Sequence, residues 1–161
     1  MKILERIQEK ASNSLKKVVF PEGEDERTIQ AAKICFDKNL VVPVLLGGKE
    51  KIAAAAGKLN IDLSGIEVRQ PDIDPSLEEF STTLYELRKH KGLDMESARK
   101  TMQQPLFFGA VMVRKGLVSA SVAGAVNTTG DVMRAAIQAI GVAPGFSIVS
   151  STFLMVLRYE R

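Results

Sequence analysis

Residues 124–134, GAVNTTGDVMR, bring two glycines, an amide, two hydroxyls and a guanidinium together between apolar neighbours. Gly124 and Gly130 permit a tight turn and close approach of the backbone, while Asn127, Thr128 and Thr129 are short polar groups able to reach phosphate oxygens. The pattern predicts a strand-to-helix turn, where free backbone donors and the helix dipole attract an anion. Arg134 adds a planar, permanently charged fork. A cation in a first helical turn is disfavoured by about 0.3 to 1 kcal/mol, and either a bound anion or Asp131 reverses that penalty. The alternative is a capped helix with Thr129 or Asp131 as N-cap and Arg134 in solvent. The stretch is neither a Walker loop nor a dinucleotide fingerprint.

Arg88 is the second candidate. At about 100° per residue it lies within about 20° of Leu77, on the stripe formed with Phe80, Leu84 and Leu87. An arginine on an apolar face either binds an anion or snorkels and pairs with an acid such as Glu86. Lys89, His90 and Lys91 read as cations favoured at a helix end before Gly92. His90 has no metal or triad partner in view. The turn PEGEDERT carries four acids and Arg27 after a strand, and reads as a helix N-terminus with favourable acids. Cys35 falls on a core-facing stripe, and no Cys/His cluster supports a metal.

The elements that must position these groups alternate. A helix at residues 1–17 is followed by strand KVVF (17–20), a helix from Asp25, strand VVPVLLGG (41–48) and helix KEKIAAAAGKLN. IEVR (66–69) reads as an edge strand, SLEEFSTTLYELRKHK as a helix stopped by Gly92, and two helices divided at Pro105 run to Gly116. Strand LVSASVAG, the turn, helix DVMRAAIQAIG and a last apolar strand FSIVSSTFLMVL complete an α/β chain with a mostly parallel sheet.

Composition sets the frame. With 161 residues and 45% hydrophobic content the chain reads as one domain. The lone cysteine and the absence of a long apolar run point to a cytoplasmic protein with no membrane span. Net charge is +3, but acids and bases are interspersed without aromatic interleaving, so no nucleic-acid surface is expected. Residues 101–161 carry only five basic and two acidic side chains, which predicts that this third is mostly buried or lines an anion site.

VVFPEGEDERTIQAAK, YELRKHKG and GAVNTTGDVMRAAIQAIG, in this order, resemble the N-terminal half of the phosphate acetyl/butyryltransferase family. The resemblance implies a three-layer α/β/α fold of the isocitrate/isopropylmalate dehydrogenase type, with an active-site cleft between two such domains. It implies transfer of an acetyl group between coenzyme A and inorganic phosphate, with phosphate, acetyl phosphate and acetyl-CoA as ligands. Coenzyme A is then a substrate, and no cofactor or metal is expected; members are typically homodimers. Position by position, the family's two substrate-side arginines fall on Arg88 and Arg134, and its small polar phosphate-loop residues on Asn127, Thr128 and Thr129. The family's general-base aspartate and serine–arginine coenzyme A segment belong to a second half that has no counterpart here. Where members continue the last strand into a proline and acidic turn, this chain reads Arg158, Tyr159, Glu160, Arg161, so a truncated chain is expected, residues 1–161 forming a single α/β domain. The alternatives are a phosphate butyryltransferase, a non-catalytic remnant that binds phosphate ligands, and a structural subunit pairing through its last strand.

Overall fold

The computed structural model describes residues 3–156. Helix α1 (Ile3–Ser12) buries none of its residues and leads into strand β1 (Lys17–Phe20). β1 lies between β2 (Val42–Leu46) and β4 (Ala120–Ser121), and β3 (Glu67–Arg69) pairs outside β2. All three pairings are parallel, which fixes the order β3-β2-β1-β4. IEVR is therefore an edge strand, as its short length and Pro71 predict.

Because side chains alternate along a strand, β1 and β2 feed two cores. Val18, Phe20 and Leu45 pack with Ile29 and Ala32 of α2 (Glu26–Asp37) and Ile52 and Ala56 of α3 (Lys49–Lys58). Val19, Val44 and Leu46 point the other way, towards α4 (Leu77–Arg88), α5 (Met95–Met102) and α6 (Pro105–Arg114). There Phe80 and Phe108 are fully buried, with ring centroids 4.8 Å apart. Each such side chain contributes about 1.5 to 3 kcal/mol by leaving water. The result is the expected three layers of helix, parallel sheet and helix.

Local signals act as read. Asp25 caps α2, its carboxylate accepting from the Arg27 amide at 3.0 Å. Pro105 opens α6, and Gly92 and Gly116 end their helical runs at φ +85° and +71°. Helix α7 (Thr129–Ala135) starts two residues before the predicted Asp131 and continues into a π-helical turn, Ala136–Ile140. Its cap is Thr128, not Thr129 or Asp131: the Thr128 hydroxyl accepts from the Asp131 amide at 3.2 Å.

Three expectations fail. The run LVSASVAG contributes only Ala120–Ser121 to the sheet. FSIVSSTFLMVL forms no strand as far as residue 156, and its side chains are exposed, Phe153 at 91%. The rest of that run, with Arg158–Arg161, lies outside the described residues. A buried parallel strand needs a neighbouring ladder and an apolar layer on each face. Residues 146–156 are all exposed, so apolar composition alone does not make the run a strand, and the described residues of the last third are not mostly buried.

Candidate functional site

Ligands of open parallel sheets bind where strands end and helices begin. Here the β1–α2 turn, residues 21–25, meets the β4–α7 loop, residues 122–128. Glu22 joins them. Its Oε2 accepts from the amides of Gly124 at 2.8 Å and Ala125 at 2.7 Å. Its Oε1 accepts from the amides of Val126 at 2.9 Å and Asn127 at 2.7 Å, and from Asn127 Nδ2 at 2.9 Å. Four successive backbone donors and one side-chain donor thus converge on a carboxylate that is 7% exposed. Burial pushes the Glu22 carboxyl up, but the bonds from Asn127, Val126 and Ala125 outweigh it and hold it down at about 2. From the first turn of α2, Arg27, braced on Asp25, donates to the Ala125 carbonyl at 2.6 Å.

This geometry corrects the expectation of free backbone donors: residues 124–127 already cradle an anion, and it is the protein's own. What stays open lies further along. The amides of Thr129 and Gly130 and the Thr129 hydroxyl have no partner among the described residues, and Asn127 keeps its amide oxygen and one N–H. Thr128 is committed to the cap and donates to Asp131 Oδ2 at 2.6 Å. The Arg134 side chain, 62% exposed, reaches Asp131 Oδ1 at 3.2 Å.

Arg88 ends α4, whose Leu77, Phe80 and Leu84 are buried as the stripe predicts. It is half-buried and its side chain makes no ion pair or hydrogen bond among the described residues; Glu86 pairs with Lys89 instead. It lines a cavity of about 190 Å³ with Lys91, Gly92, Leu93 and Gln138. Gln138 is four residues beyond Arg134 on the α7–π run, a neighbouring position on one helix face, and α4 packs against that π turn. His90 is exposed, and no group of metal-ligating side chains occurs among the described residues.

A larger cleft, about 430 Å³, opens beside Glu22 between Pro21, Leu46, Gln104, Pro105, Leu106 and Val126. Sequence reading missed Glu22 and Gln138. The available signal for Glu22 was an acid held between Pro21 and Gly23, directly after a buried strand. Gly23 has no room for a side chain, since a Cβ there would lie 2.7 Å from the Leu46 carbonyl oxygen.

Comparison with known proteins agrees with this architecture. The family model for phosphate acetyl/butaryl transferase matches residues 2–161. The phosphate acetyltransferase of Acetivibrio thermocellus is 43% identical over 98% of the chain, and that of Clostridium acetobutylicum 38% identical over 98%. In each case the match covers 47% of the relative, so the chain spans about half the length of the curated relatives it matches. Among solved structures, the EutD phosphotransacetylase from Staphylococcus aureus superposes with a TM-score of 0.83 at 36% identity, covering 90% of this chain and 44% of that one. A phosphotransacetylase from Streptococcus pyogenes gives 0.86 at 31% identity, covering 92% and 46%. No helix among the described residues is long and apolar enough to cross a membrane.

Proposed function

Because this chain belongs to the phosphate acetyl/butaryl transferase family, we propose that it supplies the phosphate-binding wall of an acyltransferase that interconverts acetyl-CoA and phosphate with coenzyme A and acetyl phosphate. The observation that carries this reading is Arg88: a half-buried guanidinium with no protein acceptor among the described residues, sharing a cavity with Gln138 of the π turn that continues the helix bearing Arg134. A desolvated charge is kept without a partner at a free-energy cost, and a bound anion removes it.

In this reading a phosphate oxygen attacks the thioester carbonyl, the C–O bond forms, and collapse of the tetrahedral centre breaks the C–S bond and releases the coenzyme A thiolate, which takes up a proton. Arg88 and Arg134 neutralise the phosphate and hold it in line, while the amides of Thr129 and Gly130, the Thr129 hydroxyl and the remaining N–H of the Asn127 side chain complete its hydrogen bonds. Thr128 acts by fixing the start of α7. The general base and the serine–arginine segment for coenzyme A are supplied by the portion of the relatives' length that this chain does not span, and the chain works within a homodimeric, cytoplasmic assembly without a redox cofactor. The acyl group is acetyl, in keeping with the names of the relatives.

The test is release of free thiol from acetyl-CoA and phosphate, with the chain alone and with the complementary part of the Acetivibrio thermocellus relative. Turnover requires the complement, and Arg88→Ala or Arg134→Ala lowers kcat/KM by about 2 to 4 kcal/mol, roughly 30- to 1000-fold. Complemented turnover that survives both substitutions rejects the assignment.

A further inference from the structure

The five donors gathered on Glu22 form the kind of concave array of consecutive N–H groups that elsewhere receives a phosphate or carboxylate from solution. Here the array is filled from within. We infer that Glu22 is a positioning residue: its carboxylate acts as a built-in anion that holds residues 124–127 in one conformation and thereby aims the start of α7, with Thr129, Gly130 and Arg134, at an external phosphate. The inference deepens the proposed reading of the site and rests on it for the identity of that phosphate.

Three observations carry it. The contacts are short, between 2.7 and 2.9 Å, and divide between the two oxygens, two donors on Oε2 and three on Oε1. The start of α2 grips the loop with opposite polarity, since Arg27 donates to the Ala125 carbonyl at 2.6 Å while Asp25 holds Arg27 in place. The β1–α2 turn itself is fixed to the sheet, the Gly23 amide donating to the Leu46 carbonyl at 3.0 Å. The chain of support therefore runs from β2 through Gly23 and Glu22 to the loop, and from Asn127 directly into the Thr128 cap of α7. Apart from the part-buried bonds of Glu22, the loop is exposed and has little core to hold it. A loop so placed drifts unless polar contacts fix it, and a drift of about 1 Å at a phosphate site lowers rates on the order of 100-fold.

The Glu22 side chain accepts from loop amides and from the Asn127 side chain, and its own oxygens are filled by these donors, so it acts through Asn127, Thr128 and α7 rather than on substrate. Its two oxygens cannot be replaced by an amide. A carboxamide turns an N–H₂ towards backbone N–H groups and satisfies only the donors on its remaining oxygen.

The experiment uses the full chain and the variants Glu22→Ala and Glu22→Gln, with amide exchange at residues 124–127 and titration with inorganic phosphate as readouts, each with and without sodium formate. In Glu22→Ala, exchange at 124–127 rises about tenfold or more while β1 and β2 stay protected, and phosphate affinity falls by a comparable factor. Formate, a carboxylate small enough to enter the vacated cradle, restores both in Glu22→Ala, whereas sodium chloride at equal ionic strength does not. Glu22→Gln, close in size and leaving no void, is intermediate and does not respond to formate, and its loop exchange tests the same point should the alanine variant fail to fold. Unchanged exchange in both variants, or rescue by chloride as well as formate, overturns the inference. Phosphate affinity that is equal with and without Glu22 overturns the positioning role and leaves the proposed site standing. A wild-type chain that binds no phosphate overturns the proposed site, and exchange and formate rescue then decide the hold on the loop independently.

Discussion

At the start of α4 the Arg69 guanidinium donates to Asp74 Oδ2 at 2.8 Å and Oδ1 at 2.6 Å, reaches Ser76 Oγ at 3.1 Å, and lies 5.3 Å from the centre of the Phe108 ring. At the other end of the same helix Arg88, also half-buried, faces a cavity and no acceptor among the described residues. These are the two half-buried arginines among the described residues. The first is arranged as fold chemistry is: a bidentate pair, an Asp74 side chain only 6% exposed, and an aromatic face beneath. The second has what a folding residue avoids, a partly desolvated charge left open. In the proposed reading, the difference separates an arginine kept for stability from one kept for a ligand.

Substitution distinguishes the two arginines. Arg69→Ala strands the Asp74 carboxylate and lowers stability by about 3 to 5 kcal/mol, read as a fall in the urea midpoint. Arg88→Ala changes the same midpoint by no more than about 0.5 kcal/mol, because no polar contact is lost. Equal losses at both ends of α4 mean that Arg88 has a structural partner after all.

A buried anion gives the second prediction. The Glu22 carboxyl is lowered from 4.5 to about 2 in the folded chain. A lowered pKa means that its stabilisation is complete above the unfolded value and is lost as pH falls from about 4.5 towards 2, amounting to on the order of 3 kcal/mol. Acid titration of stability in the wild type and in Glu22→Gln checks this, since the variant lacks that part of the slope. Next in size, Gly23→Ala forces a Cβ against the Leu46 carbonyl and costs about 1 to 3 kcal/mol, with loop exchange at 124–127 rising alongside. Smaller again is Arg134→Ala, whose exposed ion pair with Asp131 contributes about 0 to 1 kcal/mol by denaturation.

Much of the fold was legible because local chemistry and tertiary packing agree. Asp25, Pro105, Gly92 and Gly116 mark helix ends by rules that need no neighbours, and the alternation of Val18, Val19 and Phe20 is enough to place β1 between two layers. The apolar run from Phe146 misled, since periodicity reports what a segment would bury and not whether a surface exists to bury it. At the site, the loop was legible as an anion cradle from its glycines and short polar residues, but its occupant was not. Glu22 and Asn127 are 105 residues apart, and only the parallel pairing of β1 with β4 brings them together. Gln138 was hidden for a related reason: its place beside Arg88 depends on how α4 packs against the π turn.

In the proposed function the open guanidinium of Arg88 and the α7 face bearing Arg134 take one phosphate-type anion between them. Calorimetric titration of acetyl phosphate into the wild-type chain, Arg88→Ala, Arg134→Ala and the double variant tests it most directly. The account predicts one saturable site in the wild type, weakened at least about tenfold by either substitution and no further by the second than the loss of a shared ligand allows. Affinities that are the same in all four proteins would contradict it.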